Sequence, residues 1–125
     1  MYANEVLKMG DYSYVVILCQ EVIELALKAA LRLVGIKAPK WHDVGPILRH
    51  ERSRFPKWFQ ELVDELVSIS RSLRKEGELA MYGNEEVGIS LKELYVRRDA
   101  EEALKQANEV VESVEKLMNE LITRS

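Results

Sequence analysis

Cysteine is almost missing from this chain: Cys19 is the only one, so no internal disulfide can form. That usage predicts a reducing compartment such as the cytosol, with Cys19 as a small buried hydrophobe inside its apolar run. Only two histidines are present, His42 and His50, and they stand eight positions apart. No HExxH, no CxxC and no Glu three residues before either histidine occurs, so a structural zinc or di-iron centre is not expected. No apolar stretch of about 18 residues lacks charges, which predicts no membrane span. No basic, apolar, small-residue series opens the chain, which predicts no signal peptide. Phosphate-cradling glycine motifs and a G-x-S-x-G elbow are also missing, so no cofactor is expected. There is no net positive charge: the balance is −3, and contact with nucleic acid would need a local basic patch.

Proline is scarce as well, with Pro39, Pro46 and Pro56 all near the connection between two long helical patterns. No repeat or composition shift divides the 125 residues, the size of one ordinary domain. Residues 2–9 read as a short helix, and Gly10-Asp11 as a break with Asp11 as N-cap. Segment 12–34 is the most apolar. Its non-polar residues, Leu18, Val22 and Leu25 among them, cover most of the circumference, which predicts a central helix stopped at Gly35. The next helix starts near Gly45-Pro46. A fourth element opens with Pro56 at its first position and runs to Tyr82, with Gly77 as a weak point. Residues 84–96 form a connection. The last helix is capped by Asp99 with Glu102, and its apolar residues recur three and four apart from Ala100 to Ile122. The prediction is all-α: an up-and-down antiparallel bundle of four to five helices in one domain, residues 1–125.

Two features carry candidate chemistry. Gln20, Glu24, Lys28 and Arg32 recur every fourth residue, with Glu24 to Lys28 in the favourable order for an ion pair. They form either a solvated, salt-bridged seam or the polar wall of a groove. Arg49, His50, Arg52, Arg54 and Lys57 crowd into nine residues flanked by Trp41, Phe55, Trp58 and Phe59. Basic and aromatic residues together suit phosphate contact and base stacking. Equally, the aromatics suit a core and the arginines a solvated helix end.

Gly10-Asp11-Tyr12 before the apolar helix, then Gln20, Glu24 and Leu27-Lys28-Ala29, His42, Met81-Tyr82-Gly83 and Asp99-Ala100-Glu101-Glu102-Ala103 follow one another in order. This series resembles the HEPN domain family over nearly the whole chain. The resemblance implies a helical bundle, a homodimer, and a partner that is a minimal nucleotidyltransferase, often in a toxin–antitoxin pair. It also implies a nucleotide or ligand groove at Gln20, Glu24, Lys28, His42 and Tyr82. Some relatives are metal-independent ribonucleases with Arg, four to six residues, then His. Here Gly35, Ile36 and Lys37 precede His42 at that spacing, and Asp43, Val44 and Gly45 precede His50. The ribonuclease motif is absent, so a non-catalytic binding module is expected. The alternative is an RNA-directed protein using Arg49, His50, Arg52, Arg54 and Trp58.

Overall fold

The structure is a computed structural model and describes residues 11–38, 43–82 and 97–124, with side chains for 11–38, 43–75 and 97–123. Among the described residues there are four α-helices and no strand: α1 (Tyr12–Leu33), α2 (Gly45–His50), α3 (Lys57–Tyr82) and α4 (Arg97–Arg124). A 3₁₀ turn, Arg52–Arg54, joins α2 to α3. The expected helices at 2–9 and the connection at 84–96 lie outside the described residues.

Helix boundaries follow local chemistry. Asp11 Oδ1 accepts the Tyr14 backbone N–H at 3.2 Å, satisfying one of the orphan donors that open α1. At the other end Gly35 takes φ +86°, a left-handed conformation that side-chain-bearing residues resist. Gly35 N–H then bonds Arg32 O at 3.0 Å, and Ile36 N–H bonds Leu31 O at 2.9 Å, closing α1 with a Schellman motif. Before α2, Asp43 Oδ1 accepts the Gly45 N–H at 3.0 Å. Pro46 follows in the first turn, where its missing N–H costs little. A Cβ on Gly45 would sit 3.0 Å from Val67 Cγ1, so glycine is what lets α2 approach α3. Helix α3 begins one residue later than the sequence suggests, at Lys57, and the Pro56 carbonyl receives the N–H groups of Phe59 and Gln60. Gly77 does not interrupt α3. Helix α4 starts at Arg97, so Asp99 lies in its first turn rather than at its cap, where the carboxylate still complements the helix dipole.

The long helices run up, down and up. Tyr12 meets Arg97, so α1 and α4 start at the same end, whereas Trp58 near the start of α3 meets Glu120 near the end of α4. The core between them holds Val15, Cys19, Ile23, Leu27, Leu31, Phe59, Val63, Val67, Ala107, Val110 and Leu117, all essentially inaccessible. Phe59 lies against Phe55 with ring centroids 4.6 Å apart and meets Trp58 edge-on at 5.6 Å. The apolar pattern of α1 is not all interior: Leu25 is 67% exposed, Ala29 is exposed, and Leu18 and Val22 are half-buried. Ile122 (61% exposed) and Met118 of α4 are open as well. Among the described residues no helix is long and apolar enough to cross a membrane.

Cys19 sits in the core as expected, and burial pushes its thiol up to about 11. The thiolate is the reactive form, so the folded chain is expected to react with a disulfide reagent at pH 8 only as fast as it opens. Adding denaturant should release one full equivalent of reactive thiol. Rapid stoichiometric labelling of the native chain would contradict this placement.

Candidate functional site

A hollow with chemically distinctive walls lies between α3 and α4. It is a groove of about 390 Å³ lined by Trp58, Leu62, Glu65, Leu66 and Ile69 of α3 and Glu109, Glu112, Ser113 and Lys116 of α4. The spacing explains the lining. Leu62, Leu66 and Ile69 are four and three apart, so they form one apolar stripe along α3. Trp58 closes the end of the stripe. Its indole N–H donates to Glu120 Oε2 at 2.7 Å, and the Lys116 ammonium lies 4.3 Å from the ring centroid. That pair of contacts fixes the ring by a charge-assisted hydrogen bond and a cation–π interaction.

The basic and aromatic segment is divided by helix geometry. Phe55 and Phe59 turn into the core and Trp58 into the groove, so none of these three rings is left beside the arginines, and Trp41 lies outside the described residues. The arginines meet carboxylates instead. Arg52 Nη2 lies 2.7 Å and Arg49 Nε 3.4 Å from the same Asp64 oxygen. Arg54 pairs with Glu51, whose other oxygen is 3.4 Å from His50 Nδ1. The Arg52 hydrogen bond holds the Asp64 carboxyl below the usual carboxylate range, and the Arg54 hydrogen bond does the same for Glu51. For a carboxyl lowered in the fold, the stabilisation is present above its ordinary pKa of about 4 and is lost as pH falls through the lower, folded value. These pairs therefore act at neutral pH and fail only in acid. A shallow hollow beside them is lined by Arg52, Lys57, Gln60, Glu61 and Asp64. The sequence cluster is thus a compensated ion-pair network. Asp64→Asn should free two guanidinium groups and move elution from heparin or RNA resin to higher salt. Arg52→Ala should leave elution almost unchanged. Equal elution of Asp64→Asn and the parent would contradict the neutralising role of Asp64.

The polar stripe of α1 faces α3 in part. Gln20, Glu24 and Lys28 are half-buried and Arg32 is exposed. Glu24 reaches Arg74 of α3 at 3.8 Å. One turn earlier on α3, Arg71 reaches Asp43 at 3.8 Å. Arg71 and Arg74 were not singled out in the sequence. They lie on one edge of α3, three residues apart, and that spacing beside two acids is the signal that pattern reading could have used. His42 and the side chain of Tyr82 lie outside the described residues. Of the stripe, Glu24 meets an α3 arginine, Arg74, whereas His50 and Trp58 belong to two other surfaces. Among the described residues no group of three or more His, Cys, Asp or Glu side chains could hold a metal ion.

No curated protein and no solved structure matches the chain. Comparison with protein families matches residues 1–117 to the HEPN domain. An all-α bundle with α1, α3 and α4 running up, down and up agrees with that match. The chain belongs to the HEPN domain family.

Proposed function

We propose that the chain is a single, non-catalytic HEPN domain that works as a homodimer with a minimal nucleotidyltransferase partner, with a nucleotide as its small ligand. One observation carries the reading. A HEPN bundle in which no arginine precedes His42 or His50 at the ribonuclease spacing leaves aliphatic side chains of α1 and α4 open. Leu18, Val22, Leu25 and Ala29 fall on one flank of α1 at about 100° per residue. Met118 and Ile122 lie on α4, which runs beside α1 in the same direction. Large open aliphatic faces mark interaction surfaces. The half-buried polar stripe Gln20, Glu24 and Lys28, with Arg74, supplies donors and acceptors of the kind a nucleotide needs.

Affinity capture of the tagged chain from its source cells tests the reading. A nucleotidyltransferase should co-purify, and the chain should run at twice its 14.4 kDa mass on light scattering. A monomer with no nucleotidyltransferase and no bound nucleotide would refute it.

A second reading has one observation in its favour. Arg71 of α3 reaches Asp43, the residue that follows His42 in the chain. Under this reading the protein acts on RNA. The discriminating assay is cleavage of structured RNA by the parent, His42→Ala and Arg71→Ala. Cleavage by the parent that vanishes in both variants would replace the first reading.

A further inference from the structure

We propose that the groove between α3 and α4 is a docking site for a basic amphipathic helix of a partner protein. The surface is separate from the apolar flank of α1 and would serve a monomer equally well. Its dimensions fit a helix. From Trp58 to Ile69 the groove follows α3 over a rise of about 16 Å at about 1.5 Å per residue, or about three helical turns. The floor offers Leu62, the buried Leu66 and Ile69 at helical spacing, the complement of an i, i+4, i+7 row of aliphatic side chains. Trp58 forms an end wall held in place by Glu120 and Lys116, and a preset tryptophan is the residue type that most often dominates a binding surface.

Charge selects the occupant. Five carboxylates, Glu24, Asp43, Glu51, Asp64 and Glu101, each pair with an arginine. The rim of the groove gathers three other carboxylates around one hollow. Glu65, Glu109 and Glu112 make no ion pair among the described residues, and Glu120 stands just beyond Trp58. Against these three carboxylates the rim sets one ammonium, Lys116, which lies against the Trp58 ring. An acidic rim around an aliphatic floor attracts lysine and arginine flanking an aliphatic row, and it repels a phosphate backbone. A second copy fits poorly. Its exposed aliphatic residues Leu25 and Met118 each have an exposed glutamate one helical turn away, Glu21 and Glu115, which would bring carboxylates against carboxylates.

The test is isothermal titration calorimetry of the intact chain with a set of synthetic helices of about 16 residues, four turns plus ends. Each carries aliphatic residues at i, i+4 and i+7. One series has Lys and Arg on the flanks, and the other has Glu there. Basic peptides should bind, more weakly as salt rises, and acidic ones should not. The exposed pair Glu109→Lys with Glu112→Lys should weaken binding at least tenfold while circular dichroism stays unchanged. Glu115→Lys, exposed on α4 but outside the groove, should bind like the parent. The proposal falls if no basic peptide binds, if acidic peptides bind as well, or if the double variant binds undiminished. It also falls if the double variant changes the oligomeric state, because the groove would then be filled by a second copy.

Discussion

Phe59→Ala is expected to destabilise the fold by about 3–5 kcal/mol, the range for truncating a fully buried aromatic residue. Phe59 has no accessible surface and stands where three parts of the chain meet: Phe55 at the end of the 3₁₀ turn, Trp58 in its own helix, and the apolar rows of the other helices. Removing the ring leaves a hole that Phe55 cannot fill without lifting the Arg52–Arg54 turn, so relaxation would be partial. A loss of that size lowers the melting temperature of a chain this long by roughly 10 °C or more. Thermal and urea unfolding followed by far-ultraviolet circular dichroism measure it. Ile122→Ala is the matched control: its side chain is 61% exposed, and the change should stay within about 0.5 kcal/mol. A loss below about 1 kcal/mol for Phe59→Ala would mean that the aromatic cluster is not the keystone its burial implies.

Periodicity made the architecture legible because each long helix has a solvent side. Glu101, Lys105, Glu109, Glu112 and Lys116 alternate with Ala103, Ala107, Val110, Val114 and Leu117, and the structure buries that apolar row as α4. Asp11 and Gly35 were readable for a local reason: a side-chain acceptor and a left-handed glycine act within four residues of themselves. Three things were not legible. Leu25 reads as interior because hydropathy reports what a residue prefers, not which flanks a neighbour covers, and α3 and α4 leave that flank of α1 open. The cluster from Arg49 to Phe59 reads in sequence either as an anion surface or as core aromatics beside a solvated helix end, and sequence adjacency alone does not decide between them. A 3₁₀ turn and a new helix send aromatics inward and arginines outward. Its neutralising partner Asp64 is more than ten positions away, beyond any local rule. The α3–α4 groove was invisible because its two walls are brought together only by packing on α1. Neither Leu62, Leu66 and Ile69 nor Glu109 and Glu112 departs from ordinary amphipathic patterning.

Leu25→Arg should turn the proposed dimer into a monomer without unfolding it. The argument rests on two different environments for one side chain. In the single chain Leu25 is 67% exposed, so replacing it removes little packing, and the change in folding stability should stay within about 0.5 kcal/mol. In a two-fold dimer the same face meets itself, so each substitution is felt twice. Two leucines lose burial worth about 1.5–3 kcal/mol each, and two guanidinium groups enter an aliphatic contact, where charge is poorly solvated. The expected rise in the dimer dissociation constant is therefore at least about 100-fold, since about 2.7 kcal/mol already accounts for that factor. Sedimentation velocity across a dilution series reads the association, and urea unfolding reads the fold. Leu25→Ala should fall between parent and Leu25→Arg in association, because it trims the contact without adding charge. An unchanged dimer in Leu25→Arg would exclude the α1 flank as the contact. A monomeric but unfolded variant would show instead that Leu25 is held in the interior, contrary to its exposure.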